Sequence, residues 1–164
     1  MTDPDLRHLS LAYAAAVDSL DGAAFAALFA PDGELWVPDL RRGRSPSVRR
    51  RGAEELGAVP AGLARYHATH HRVAVSTFDV RGEEATGSVQ AVAHHVAATR
   101  SEVTGSPPRR SIGAGTDTIW YLTYEDSYRL LDGRWRFARR VLQLRDIEER
   151  VVDHLGPGRR RLPG

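Results

Sequence analysis

Two long β-hairpins in the second half of the sequence constrain the fold more than any other feature. Residues 69–80 and 85–99 are dense in β-branched side chains and flank a turn at residues 81–84. Residues 115–131 and 134–144 flank the dipeptide Asp132-Gly133, which is typical of tight hairpin turns. The sequence therefore predicts a run of long antiparallel strands.

The residues before the hairpins carry helical signals. Pro4 follows a capping residue and begins a predicted helix over residues 4–20. A shorter helix follows Asp21, then a short strand at residues 34–37, a surface loop at 40–51 and a helical segment at 52–63 interrupted at Pro60. Residues 101–114 are expected to be a mobile connection, and residues from Asp146 onward to be helical or irregular. Helices followed by antiparallel strands predict the α+β class, with the helices on one face of a curved sheet and a pocket between that sheet and the first helix.

The composition limits the chemistry. A length of 164 residues with 41% hydrophobic content fits one domain, which we place at residues 1–146, with a partly disordered tail at 147–164. The chain has no cysteine, and all 23 basic residues are arginine, which excludes thiolate nucleophiles and ligands and lysine Schiff bases. No signal pattern or membrane-length apolar run is present, so we expect a cytoplasmic protein without a membrane partner. The arginine-rich segments lack interleaved aromatic residues, and we expect no nucleic-acid partner.

A histidine-rich segment at residues 66–75 leads into the first long strand. Strand geometry places Thr69, His71 and Val73 on one face, and His70 and Arg72 on the other. The valine-bearing face is expected to be the core face, so His71 is the inward histidine. Because the pKa of imidazole lies near neutrality, this position favours proton-transfer chemistry, although a hydrogen-bonded core histidine is the alternative.

The first helix contributes two further polar candidates. Tyr13 lies in the apolar stripe of the helix, where it is either a core aromatic residue or a hydroxyl at the pocket. Asp18 lies beside that stripe near the end of the helix, where the helix dipole disfavours a negative charge. From the residues alone, Asp18 is a capping or solvated acid as readily as a catalytic one.

Four stretches together resemble a known family. They are residues 13–21 with 25–33, Thr69-His70-His71, Ala93-His94-His95, and residues 124–137. The chain resembles the SnoaL-like group of the nuclear-transport-factor-type cone fold, which includes scytalone dehydratase, bile acid dehydratase and SnoaL-type polyketide cyclases. The resemblance extends from about Leu6 to Asp146 and implies a cone-shaped α+β barrel with a central pocket.

The resemblance also implies a set of site residues. An acid-base pair is expected between Asp18 and His71, assisted by Tyr13 and by a second histidine, His95. His94 would replace His95 if the strand register shifted by one residue. We expect the substrate-binding wall to include three large aromatic residues, Trp36, Trp120 and Tyr124. His67, His71, His95 and Asp18 are of the ligand types that suit zinc or iron, but they match no ligand-spacing motif, and no metal is predicted.

The predicted function is that of a cofactor-independent lyase or isomerase, a dehydratase or cyclase acting on a small hydrophobic carbonyl compound, as in secondary metabolism. A histidine held by a carboxylate can remove a proton next to a carbonyl and return it to a leaving hydroxyl. The alternatives are a non-catalytic ligand-binding or assembly domain and the small subunit of a ring-hydroxylating oxygenase. The resemblance further implies a homodimer formed through the outer face of the sheet.

Overall fold

The computed structural model describes residues 3–98 and 114–156. Within them, the helices are α1 (Asp3–Asp18), α2 (Gly22–Ala26) and α3 (Gly52–Gly57), followed by a 3-10 turn at Pro60–Leu63. The strands are β1 (Phe29–Pro38), β2 (Pro46–Arg51), β3 (Ala68–Arg81), β4 (Glu84–Ala98), β5 (Gly115–Leu131) and β6 (Arg134–Val152). No helix among these residues is long and apolar enough to cross a membrane.

The six strands form one curved, unclosed sheet in the order β2-β1-β6-β5-β4-β3. The two predicted hairpins are confirmed as β3–β4 and β5–β6, and the α+β class is confirmed. The long strands are antiparallel, as expected, but β1 runs parallel to β6 and aligns Phe29 with Phe137. Parallel partners need a long connection, here the whole chain between β1 and β6, and local sequence patterns do not report such a distant pairing.

Two segments are strands where the sequence predicted none. The arginine-rich residues of β2 were expected to form a loop, but they pair with β1, where Glu34 forms a salt bridge of 2.8 Å with Arg49. The helical or irregular segment expected from Asp146 is instead the end of β6, which pairs with β5 as far as Val152. Residues 101–113 of the predicted connection, residue 99 of the predicted strand and residues 157–164 of the predicted tail lie outside the described part of the chain.

The core lies between α1, α2 and the inner face of the sheet. It is rich in aromatic contacts: the ring of Tyr13 lies 4.9 Å from that of Phe25, and the ring of Phe29 lies 5.2 Å from that of Phe137. All four side chains are almost completely buried. Burial of apolar surface stabilises a fold by about 25 cal/mol per Å², so this cluster fixes α1 firmly against the sheet.

The end of α1 positions the first candidate residue. Leu20 has a φ of 61°, and the backbone N–H of Asp21 donates to the Ala16 carbonyl over 2.9 Å. This arrangement resembles the Schellman cap, which usually has glycine at the left-handed position. A leucine there costs about 1–2 kcal/mol. The helix therefore ends at Asp18 and leaves its carboxylate next to the start of β3.

Candidate active site

Asp18 joins α1 to β3 through three hydrogen bonds. The Nδ1 atom of His71 lies 2.7 Å from Oδ1 of Asp18, and the His71 backbone N–H donates to Oδ2 over 2.8 Å. The Thr69 hydroxyl donates to Oδ1 over 2.9 Å. A carboxylate that accepts three such bonds fixes both the position of β3 and the orientation of the His71 ring.

The charge and tautomer of this pair follow from those bonds. Burial disfavours the Asp18 carboxylate, but the hydrogen bonds from His71 and Thr69 outweigh it and lower the pKa of Asp18 below its ordinary value. Asp18 is therefore ionised at neutral pH and only accepts hydrogen bonds, so Nδ1 of His71 carries the proton. In the neutral form of the ring this tautomer leaves Nε2 unprotonated and able to act as a base.

His71 lies on the wall of an apolar cavity of about 420 Å³ between the helices and the sheet. Asp18 is not part of that wall and supports the imidazole from behind. Most of the lining is aliphatic and includes Val17, Leu35, Val37, Leu63, Leu122 and Leu142. A cavity of this size accommodates a small organic molecule, and its polar groups are limited to a few histidine, tyrosine, tryptophan and arginine side chains.

His95 is the second histidine of the cavity wall, and its ring lies 5.8 Å from that of His71. Its Nδ1–H donates to the Thr118 carbonyl over 3.2 Å, because a carbonyl oxygen can only accept. Burial and the neighbouring His71 lower the pKa of His95 to about 4. His95 is therefore neutral at physiological pH, with an unprotonated Nε2 that accepts hydrogen bonds rather than donating them.

Tyr13 also reaches the cavity wall, and the described residues give its hydroxyl no hydrogen-bond partner. Burial raises the pKa of Tyr13 to about 12, although the positive charge of Arg140 opposes the shift. The phenol is therefore protonated at neutral pH. A protonated phenol can donate a hydrogen bond through its O–H group.

The structure separates the predicted site residues into two groups. Tyr13, His71, His95 and Trp120 line the cavity, with Asp18 behind His71. Tyr124 is buried beneath the wall under Arg140, and Trp36 lies elsewhere, donating to Glu34 over 2.9 Å.

His94 and His67 have other partners. The question between His94 and His95 is resolved by register, because His94 lies on the opposite face of the sheet, 2.7 Å from Asp117. His67 is not on the cavity wall, and its Nε2 lies 3.0 Å from the Gly156 carbonyl oxygen. Within residues 3–98 and 114–156, no group of three or more histidine or acidic side chains is arranged to hold a metal ion.

Sequence reasoning missed three contributors to the site. Thr69 was predicted to lie on the same strand face as His71, and this shared face could have indicated that its hydroxyl also bonds to Asp18. Tyr66 lies in a bend before β3, and its ring centre is 5.0 Å from that of His95. A residue in a bend belongs to no helical or strand periodicity, so the sequence pattern did not indicate it.

The third is a buried ion pair beneath the cavity floor. Arg140 donates to both carboxylate oxygens of Asp126 over 2.9 and 2.7 Å, and neither side chain is exposed. The Arg140 guanidinium also lies over the ring of Tyr13 at 4.3 Å. The sequence feature that could have indicated this ion pair is an acid in the first strand of the β5–β6 hairpin at the position that pairs with an arginine in the second.

Comparison with known proteins places this arrangement in context. A candidate scytalone dehydratase from Novosphingobium aromaticivorans is 22% identical, with a TM-score of 0.65 over 94% of this chain and 89% of its own. The type 3 hexachlorocyclohexane dehydrochlorinase LinA from Novosphingobium barchaimii is 15% identical, with a TM-score of 0.69 over 94% of this chain and 93% of its own. A variant of a Mycobacterium tuberculosis protein of unknown function is 23% identical, with a TM-score of 0.66 over 87% and 70% of the two chains. These similarities establish the fold.

No curated protein matches the sequence. The sequence profile of the SnoaL-like domain matches residues 4–141, which include α1, the whole of β3, β4 and β5 and every candidate residue of the cavity. The chain therefore belongs to the SnoaL-like domain family.

Proposed function

We propose that the chain is a cofactor-independent lyase or isomerase in which Asp18 and His71 form an acid-base pair acting on a small hydrophobic carbonyl compound. The observation that carries the proposal is the 2.7 Å contact between Asp18 Oδ1 and His71 Nδ1, with the imidazole exposed to an apolar cavity. Solved structures of the same fold include a candidate dehydratase and a dehydrochlorinase, and both names describe elimination reactions.

The chemistry begins with His71 as a base. Its unprotonated Nε2 takes a proton from the carbon next to the substrate carbonyl, and the C–H electron pair becomes an enolate. Asp18 stabilises the resulting imidazolium through its bond to Nδ1. In a dehydration, the β-C–O bond then breaks and the Nε2 proton passes to the leaving hydroxyl, which departs as water. In an isomerisation or cyclisation, the same proton is returned to carbon or oxygen instead.

Two neighbours of His71 provide complementary hydrogen-bonding groups. The Tyr13 hydroxyl is protonated and donates to the carbonyl oxygen, where such a donor stabilises a developing enolate by about 3 kcal/mol. His95 is neutral and its Nδ1 proton is used by Thr118, so it accepts a hydrogen bond from a substrate hydroxyl. The sequence allowed either residue to donate to the carbonyl oxygen, and the tautomer of His95 favours Tyr13 for that role.

Proton exchange tests this proposal without knowledge of the natural substrate. The probe is α-tetralone in D₂O, and NMR follows the replacement of its α-protons by deuterium. The wild-type protein should accelerate exchange above the buffer rate, and His71→Gln should remove the acceleration. His94→Gln is the matched control, because His94 also contacts an aspartate but lies on the opposite face of the sheet, so its rate should equal that of the wild type.

Two results would contradict the proposal. Exchange that persists in His71→Gln would place the base elsewhere. Saturable binding of the ketone with no exchange in the wild-type protein would favour a ligand-binding domain of the same fold.

The expectations of a cytoplasmic homodimer and of a role in secondary metabolism are further parts of this proposal. They come from the family resemblance and from the sequence alone. Sedimentation equilibrium of the purified protein would test the dimer directly. A protein that remains a monomer at high micromolar concentration would contradict it.

A further inference from the structure

The charged residues on the cavity wall all have the same sign. Arg50 and Arg65 line the cavity together with the two histidines, and the lining contains no aspartate or glutamate. Asp18, the nearest acid of the catalytic pair, is not on the wall and already accepts hydrogen bonds from β3. An apolar chamber with two guanidinium groups on its wall and no compensating carboxylate favours a ligand that brings its own negative charge.

Arg65 is linked to the proposed catalytic histidine by a row of neighbouring rings. Its guanidinium carbon lies 4.8 Å from the centre of the Tyr66 ring, and one of its nitrogens donates to the Tyr66 hydroxyl over 3.1 Å. The Tyr66 ring lies 5.0 Å from His95, whose ring in turn lies 5.8 Å from His71. The charge of Arg65 is therefore held two aromatic rings away from the proposed base, along one side of the cavity.

Arg50 approaches the cavity from the edge of the sheet. In β2 it lies opposite Leu35, which is also part of the cavity wall, so both side chains share the inner face of the sheet. Its neighbours Arg49 and Arg51 lie on the other face, where Glu34 forms salt bridges with both. The strand alternation thus separates one cavity-facing arginine from two that are neutralised by an acid.

Among the described residues, Arg50 and Arg65 have no carboxylate within salt-bridge distance, a feature that they share with seven of the other fifteen described arginines. Arg50 donates to the backbone carbonyl of Arg49 over 3.2 Å, and Arg65 donates to Tyr66. Elsewhere in the described chain, the arginines at positions 41, 42, 49, 51, 81, 129, 140 and 150 are each within salt-bridge distance of a carboxylate.

We propose that Arg50 and Arg65 are specificity residues that bind an anionic group of the substrate, so that the compound acted on is a hydrophobic carbonyl molecule bearing a carboxylate or a phosphate. This inference rests on the proposed function for the reacting end of the substrate, although the anion site itself does not. Guanidinium groups bind both kinds of anion through paired N–H donors. An anion held at Arg65 would direct the apolar part of the molecule along Tyr66 and His95 toward His71.

The physical advantage is discrimination between ligands. Both arginine side chains are exposed at their outer ends, so water screens the attraction, and the expected gain is modest. A neutral analogue would still fill the apolar cavity but would leave the guanidinium groups unused. We therefore expect charge to change affinity by roughly tenfold, the equivalent of about 1.4 kcal/mol.

The experiment compares three probes that share one ring system. Naphthylacetate carries a carboxylate, naphthyl phosphate carries a phosphate, and naphthylacetamide is neutral. Titration calorimetry on the full-length protein at low ionic strength should show that at least one of the anions binds roughly tenfold more tightly than the amide. Whichever anion binds more tightly identifies which group the site prefers.

Variants locate the effect. Arg50→Gln and Arg65→Gln should each weaken binding of the preferred anion several-fold and leave binding of the amide unchanged. Arg72→Gln is the matched control, because Arg72 is exposed on β3 opposite Val92, away from the cavity wall, and removes the same net charge. Asp18→Asn should retain the anion preference even if it abolishes proton exchange, which separates failure of this inference from failure of the catalytic proposal.

Three results would overturn the inference. One is equal affinity of the anions and the amide, and another is a loss of affinity in Arg50→Gln and Arg65→Gln that is the same for charged and neutral probes. The third is the absence of saturable binding by either anion at millimolar concentration.

Discussion

Replacing Asp18 with asparagine tests the central contact of the cavity with little change in shape. The Thr69 hydroxyl and the His71 backbone N–H donate to different oxygens of Asp18, so the single amide oxygen of asparagine can keep only one of these two bonds in place. The contact that matters for the chemistry is the one between Asp18 Oδ1 and Nδ1 of His71, at 2.7 Å in the wild-type protein. There the substitution removes the negative charge that stabilises an imidazolium.

The magnitude follows from that single contact. A hydrogen bond to a charged group is worth about 1.5–3 kcal/mol, which corresponds to a loss of roughly 10-fold to 150-fold in rate. If the amide NH₂ turns toward the ring, it also forces the proton of His71 onto Nε2 and removes the base. The equivalent change in Ser-His-Asp triads lowers kcat by about 10⁴-fold. We therefore expect Asp18→Asn to slow α-proton exchange by about 10-fold if only the charge is lost, and by up to about 10⁴-fold if the tautomer also changes.

The pH dependence of the free energy of unfolding shows independently whether the contact with Asp18 has been changed. The pKa of Asp18 is lowered in the fold, so its ionised form stabilises the protein above its ordinary pKa of 3.8, and that stabilisation is lost as the pH falls below it. The free energy of unfolding of Asp18→Asn should therefore fall less steeply with acid than that of the wild type. An exchange rate within about threefold of the wild-type rate, in a folded variant, would refute the reasoning.

Three further predictions concern other parts of the fold. Arg140→Met leaves Asp126 buried without its cation, so urea denaturation should show a free energy of unfolding lower by about 3–5 kcal/mol. Adding Asp126→Leu should recover most of that loss. If it recovers none, the unpaired charge is not the cause. Gly22→Ala places a Cβ 2.1 Å from the Gly57 carbonyl oxygen and should lower the free energy of unfolding by about 1–3 kcal/mol, measured by thermal unfolding. In the control Gly62→Ala the new Cβ meets no atom within 4 Å, so stability should not change. Equal effects of the two substitutions would contradict this reasoning. An NMR titration should give His95 a midpoint near its pKa of about 4. Because the pKa of an unfolded histidine is 6.5, the unfolded chain takes up the proton first, and the free energy of unfolding should fall as the pH is lowered from 6.5 to about 4. A midpoint near 6.5 would contradict the burial of His95.

The sequence predicted elements that depend on local patterns. The two hairpins and the first helix follow from β-branched density, the Asp-Gly turn and helical spacing, all of which act between near neighbours. The strand β2 was missed because its arginines resemble a solvated loop, and only the acid Glu34 on the adjacent strand makes them an ordered edge. The end of β6 was missed for the same reason, since its partners in β5 lie outside any local window.

The site shows the same division. The parity of β3 correctly places His71 on the inner face, because the period of a strand is two residues. The parity of β4 could not choose between His94 and His95, since one residue of slip inverts the faces, and the pairing with β5 decides it. Nothing in the sequence indicates that the Arg140 guanidinium lies against the Tyr13 ring, because that contact needs the helix packed on the finished sheet.

The parallel pairing of β1 with β6 has a consequence for biosynthesis. β1 is made well before its partner β6, because β2, α3, β3, β4 and β5 lie between them, so the nascent chain carries one open edge of β1 while those segments are translated. The chamber around His71 takes part of its wall from Leu142 of β6 and is therefore incomplete until β6 has been made. Folding of the chamber must then wait for a long-range closure, which slows folding.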